Sequence, residues 1–285
     1  MVLVVISLII IITIVTLFAT NFGSNVYRID QPQASSFQTM EWMQYIPAGV
    51  VAFRVLDISS LASIPGFFNS TPLLAFNQIN MNVTAFDLRY GVEVYTSNGS
   101  TIHIMALNQS YADLITLALA NQSVLYTHDN VPIYYFSKSP AGGQGGAWLC
   151  IDRGAIIYSG SKNVDLLGIM NVISSNVSSF FSNDALKIQY LLTSNKNKNL
   201  VFSYYAWDYN SNNIDSEMRS VSNSTQSLEV MKSFHFITQQ DFDKGFDYFK
   251  TNILSSANKI YFSSTFLMGF YLDEQDEIYS LFAAL

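Results

Sequence analysis

Seven Asn-x-Ser/Thr sequons, at Asn69, Asn82, Asn98, Asn108, Asn121, Asn176 and Asn223, form the most frequent chemically legible pattern in this chain. With 23 Asn and 50 Ser plus Thr in 285 residues, chance supplies roughly four, so the excess is mild. Asn98 reads as a turn residue before Gly99, Asn108 as a helix cap and Asn121 as a helix terminator. Each of these readings still puts the side chain at an exposed element end, where a sugar acceptor has to be. Asn98 is expected to be the most accessible, because a two-residue Asn-Gly loop holds its side chain clear of both strands. Asn69 and Asn223 should follow, while Asn82 and Asn176 adjoin apolar elements.

The other reactive side chains keep no company. His103 and His235 lie in TIHIMA and SFHFIT, flanked by apolar residues that point the other way, and His128 sits at a turn. Neither H-x-x-x-H nor a cysteine cluster is present, so strand-borne polar positions explain these histidines better than a metal or a general base. Cys150, the single cysteine, shares one side of a period-two pattern with Trp148 and reads as a small buried hydrophobe. AGGQGGA at 141–147 lacks the Lys-Ser/Thr of a phosphate loop and precedes a strand, not a helix. Ser159/Lys162 and Ser256/Lys259 match Ser-x-x-Lys without its companion motifs. DFDKGFD faintly resembles a calcium loop, but Gly245 occupies a ligand position and Asn252 stands where a bidentate Glu belongs. No catalytic, cofactor or metal residue emerges. If the protein is a hydrolase, its acid and base are carboxylates that the sequence does not bring together.

The elements that must position these groups begin at the N-terminus. Val2 to Thr20 carry no charge, and 19 residues at about 1.5 Å each span roughly 28 Å, close to a bilayer core. Residues 1–20 are therefore read as a transmembrane anchor, favoured over a cleaved signal because the run exceeds the usual apolar core of a signal peptide. Residues 21–41 are polar and read as a stalk, and 42–285 as an α+β body outside the cytoplasm. Alternation predicts a strand at VVAFRVLDIS and hairpins at FDLRYGVEVYTSNGSTIHIMAL, SVLYTHDNVPIYYFSK and AWLCIDRGAIIYSG, Pro132 pushing its strand towards an edge. Helices follow at YADLITLALA, NVDLLGIMNVISS and NDALKIQYLLTS. NLVFSYYAWDY and SLEVMKSFHFIT are strands, while YNSNNIDSEMRSVSNST reads as a polar run. In DFDKGFDYFKTNIL, Phe242, Phe246, Phe249 and Ile253 share one helical face. KIYFSSTFLMGFYL is expected to be a final strand and DEQDEIYSLFAAL a final helix. The fold class is thus α+β with largely antiparallel sheet. NGSTIHIMALNQSYADLITLALA and SLEVMKSFHFITQQDFDKGFDYFKTNI share one rhythm, which admits two related lobes with a boundary near 176–196.

IPAGVVAFRVLDIS, VPIYYFSK, AWLCIDRGAIIYSGSKNVDLLGIMNVISS, FFSNDALKIQYLLTS and NLVFSYY together resemble a family of membrane-anchored extracytoplasmic proteins of bacteria and archaea that carry a domain of unknown function. The shared features are a proline-led opening strand, a strand pair ending in Gly-Ser, a helix, and a Ser-Asn-Asp cap before the next helix. The resemblance spans about residues 45 to 206. It implies an anchored body outside the cytoplasm and supplies no catalytic residues; sparse charges and many Asn depart from it.

Composition narrows the partners. Twenty-one acidic against 14 basic residues, and a pI of about 4.8, argue against nucleic acid. Charged residues are 12% of the chain, so its surface is hydrated by neutral hydrogen bonding. The expected partners are the lipid bilayer through residues 1–20 and an envelope protein or glycan. A binding or structural role is the leading expectation, and an extracytoplasmic hydrolase the alternative.

Overall fold

Alternating apolar and polar residues dictate strands, and most of the body is one sheet built from them. The computed structural model describes residues 25–62, 74–76, 81–137, 146–160, 163–174, 180–194, 199–206, 214–223 and 228–272. The expected anchor at 1–20, Asn69, Asn176, residues 141–145 of the Gly-rich stretch and the expected final helix lie outside them. In chain order the elements are β1 (Val26–Arg28), β2 (Ala52–Leu56), α1 (Ile58–Ala62), β3 (Leu74–Phe76), β4 (Met81–Val83), β5 (Leu88–Tyr95), β6 (Thr101–Leu107) and α2 (Gln109–Leu119). Next come β7 (Val124–His128), β8 (Val131–Phe136), β9 (Ala147–Asp152), β10 (Ala155–Ser159), α3 (Asn163–Ile173), α4 (Asp184–Thr193) and β11 (Asn199–Ala206). The chain continues through β12 (Ile214–Asn223), β13 (Leu228–Phe236), α5 (Gln239–Tyr248), β14 (Lys259–Ser263) and β15 (Phe266–Leu272).

Thirteen of these strands form one sheet in the order β1-β14-β15-β13-β12-β11-β2-β5-β6-β10-β9-β8-β7, antiparallel throughout except for β1 against β14. β3 and β4 make a separate hairpin. β2 and β11 pair antiparallel at the middle, and on each side three antiparallel strands (β2, β5, β6 and β11, β12, β13) lead into a helix and then a hairpin. The two stretches of common rhythm are β6–α2 and β13–α5, and both halves belong to one continuous sheet.

Both faces of the sheet are covered. Leu56, Val201, Val221 and Val230 face a core shared with Leu61 of α1, Ile115 of α2 and Phe242 of α5. Phe53, Val92, Ile104 and Phe202 face a second core with Trp42, Ile169 of α3 and Tyr190 of α4. Cys150 is fully buried there, 3.8 Å from the Met170 sulfur, and burial pushes its thiol up to about 12. It is the inert hydrophobe its context implied.

Several local expectations hold for physical reasons. Asp129 and Asn130, like Arg153 and Gly154, take positive φ at both positions of two-residue hairpin turns. The Asn183 side chain accepts from the Ala185 amide and caps α4. Others need correction. The polar segment 21–41 joins the body from Val26 onward: β1 adds to the sheet, and Phe37 stacks on Phe181 at 5.3 Å. β7, not β8, is the edge strand, and Pro132 is tolerated because the ladder of β8 with β9 begins one residue later, at Ile133. KIYFSSTFLMGFYL folds as two strands, β14 and β15, turning where Ser264 adopts φ 49°. The polar run before Asn223 contains β12, a ten-residue strand inside the sheet. The apolar face of α5 shifts at its end, because Phe249–Ile253 form a π-turn in which the Leu254 amide donates to the Phe249 carbonyl at 2.8 Å. The extra residue rotates Ile253 outward and puts Leu254 in the core in its place.

Candidate functional site

Charged residues at inward positions of strands are costly unless paired, and this sheet aligns seven polar or charged side chains in one row. Antiparallel register places Tyr158 of β10 beside His103 of β6, then Glu93 of β5, Arg54 of β2, Ser203 of β11, Arg219 of β12 and Lys232 of β13, ending at Gly269 of β15. Eight strands about 4.8 Å apart make this row roughly 34 Å long.

Each charge in the row has a neighbour of its own. The Tyr158 ring stacks on His103 at 4.7 Å, and His103 Nδ1 lies 3.5 Å from Glu93 Oε1. Arg54 Nη2 donates to Glu93 Oε2, which also accepts from the Tyr95 hydroxyl at 3.1 Å. Arg219 Nε donates to Glu217, and the Lys232 ammonium lies 5.0 Å over the Tyr271 ring. Burial by itself would raise the Glu93 carboxyl; the hydrogen bonds from His103 and Arg54, with the Arg54 charge, overcome it and hold the group at about 2. Burial pushes the Tyr158 and Tyr95 hydroxyls up, so both remain protonated donors.

One step along the same face, a second row runs Tyr95, Ala52, Tyr205, Glu217. Ala52 and Ser203 are small, so the space above them stays open between larger neighbours. The result is a cleft of about 380 Å³ lined by Arg54, Tyr95, Ser203, Tyr205, Glu217 and Arg219. Tyr205 is 57% exposed and Tyr95 36%, so two rings stand at the cleft, while Arg54 and Glu217 are buried within it.

This arrangement can hold a ligand better than it can transfer a proton. A carboxyl fixed at about 2 is a weak base and never an acid at neutral pH. Among the described residues Asp152 is a carboxylate whose pKa burial raises, and it lies on the opposite face, with Cys150. Among the described residues no cluster of His, Cys, Asp and Glu could hold a metal ion.

The residues singled out from sequence scatter. Asn98, Asn108 and Asn121 are exposed, as is Asn82 in β4. The Asn98 loop is not a two-residue turn: only Gly99 has positive φ, and strand pairing resumes at Tyr95 and Thr101. Instead of standing clear, the Asn98 side chain folds back to accept from the Ser100 amide at 3.0 Å and the Thr96 hydroxyl at 2.5 Å. Asn108 occupies the first cap position of α2, yet its side chain donates to the Phe86 carbonyl instead of capping. Asn223 is the last residue of β12. His128 lies 3.3 Å from Asn171, and His235 lies 3.1 Å from Asp215 and stacks on Phe266. Ser159 donates to the Thr101 carbonyl. The acidic positions of DFDKGFD serve α5, where Thr238 caps the Asp241 amide and Asp243 accepts from Gln239.

Arg54, Glu93, Glu217, Arg219 and Lys232 were not singled out from sequence. For Arg54, Glu93 and Lys232 a signal was present in FRVL, VEVY and VMKSF, where a charged side chain stands among apolar residues.

No protein-family model and no curated protein matches the sequence. Among solved structures the chain is similar to TP0453. With crystal form IV the TM-score is 0.45 at 7% identity, over 87% of this chain and 98% of that one; with crystal form I it is 0.46 at 8%, over 85% and 96%.

Proposed function

We propose that the chain is a membrane-anchored envelope protein whose body, outside the cytoplasm, binds a neutral glycan in the cleft above β2, β11 and β12. The observation that carries this reading is a cleft with exposed Tyr95 and Tyr205 rings beside ion pairs that already neutralise each other. Sugars present apolar C–H faces that stack on such rings, and hydroxyls that planar guanidinium and carboxylate groups engage two at a time. Because Arg54 answers Glu93 and Arg219 answers Glu217, a bound ligand need bring no net charge. The α+β halves that meet at β2 and β11 are read as two related copies of one unit, with the cleft at their junction. Residues 1–20 supply the anchor, which accords with the resemblance to anchored extracytoplasmic proteins. Among the described residues no helix is long and apolar enough to cross a membrane.

Titration of the full chain in detergent with neutral oligosaccharides tests the site. Tyr205→Ala should weaken binding about tenfold while leaving the fold intact, since the ring is exposed. Unchanged affinity in that variant, or affinity that collapses with added salt, refutes a neutral glycan in this cleft. Protease added to intact cells should digest the body; a surviving full-length chain refutes the orientation.

A further inference from the structure

On the opposite face of β2, β5 and β11 lies a second cavity of about 230 Å³. Its walls are aromatic. Trp42, Tyr190 and Phe202 are each under a tenth exposed, with Tyr190 and Phe202 centroids 5.0 Å apart and Trp42 within 5.9 Å of Phe202 and 6.3 Å of Tyr190. Tyr90 completes the lining at 8% exposure, with its buried hydroxyl beside that of Tyr45. The polar lining includes the carboxylates of Glu41 and Asp57. Glu41 is held by both terminal nitrogens of Arg89, at 2.7 and 2.9 Å, and both side chains are about two-fifths exposed. Asp57 accepts from the Ser60 amide and the Ser59 and Ser60 hydroxyls.

Aromatic rings carry negative potential on their faces, and a cavity walled by them with carboxylates close by attracts a cation that is itself weakly hydrated. A bare metal ion finds too few oxygen ligands here, and an anion meets two carboxylates against one guanidinium, Arg89, that is already engaged by Glu41. We propose that this cavity binds a small quaternary-ammonium cation, as a free solute or as the headgroup of a choline lipid. The positive nitrogen rests in the cavity against the wall that Trp42, Tyr190 and Phe202 form, on the side lined by Glu41 and Asp57. Arg89 competes for Glu41 and so limits affinity.

The test is tryptophan fluorescence of the full chain titrated with choline and, separately, with its uncharged isostere 3,3-dimethylbutanol. Choline should give a saturable change and the isostere none. Two exposed substitutions should then move affinity in opposite directions. Glu41→Gln, which removes the carboxylate and leaves the Arg89 charge, weakens choline binding about threefold or more; Arg89→Gln strengthens it by about as much. Competition by phosphatidylcholine vesicles, set against phosphatidylglycerol vesicles, assigns the lipid headgroup as the source; its absence assigns a free solute. No saturable choline signal, an equal signal from the isostere, or both substitutions shifting affinity the same way would overturn the proposal.

Discussion

Replacing Arg54 by Met tests whether the charged row is held together by pairing or merely tolerated. In the folded protein Glu93 sits at about 2, against an ordinary 4.5, although burial alone would raise it. Its side chain is 20% exposed and that of Arg54 8%, so solvent screens the pair weakly. That displacement corresponds to about 3 kcal/mol favouring the ionised form. Because the folded value is depressed, this stabilisation is complete above the unfolded value, near pH 4.5, and is lost as the pH falls towards 2. Arg54→Met strands a partly buried carboxylate beside His103 and should cost about 2 to 4 kcal/mol at neutral pH. Arg54→Met with Glu93→Leu removes both charges and should recover most of that loss. Urea unfolding of the three proteins at neutral pH, and of the parent between pH 5 and 2, measures each quantity. A single-variant cost below about 1 kcal/mol, or a double variant as unstable as the single one, refutes the pairing argument.

Two further outcomes follow from the geometry. Gln189→Leu in α4 leaves the fully buried Ser216 hydroxyl without the side chain that accepts from it at 2.7 Å, and should cost about 2 kcal/mol in urea unfolding; a neutral result means the network is dispensable. In protein from a glycosylating host, peptide mass spectrometry should find Asn108 and Asn121, whose Ser110 and Ser123 are exposed, occupied ahead of Asn98, whose Ser100 is 4% exposed; Asn98 leading the order refutes that ranking.

What the sequence disclosed depends on whether a residue's partner is near in the chain. The Asp129-Asn130 and Arg153-Gly154 turns, the Asn183 cap and most of the α5 face are set by neighbours within a few positions, and they were legible. β12 was not, because Ser216 and Ser220 look solvent-facing until α4 lies against them. There Gln189 accepts from the Ser216 hydroxyl, and Ser220 donates to the Thr193 carbonyl at 2.6 Å. Small hydroxyl residues let the helix approach, and the helix returns the hydrogen bonds, so a polar strand becomes buried without an orphan group. The charged row is the extreme case of the same logic. Arg54 meets Glu93 across 39 positions, and Ser203 joins β2 to β11 across almost 150, so strand order alone assembles it. Yet one local trace existed. In a chain with so few charges, Arg54, Glu93 and Lys232 each stand next to apolar residues that face the other way along a strand. An inward charge must find a partner on an adjacent strand or cost several kcal/mol. Three such strands in one sheet therefore already imply neighbours that share charges, and the register supplies only their order.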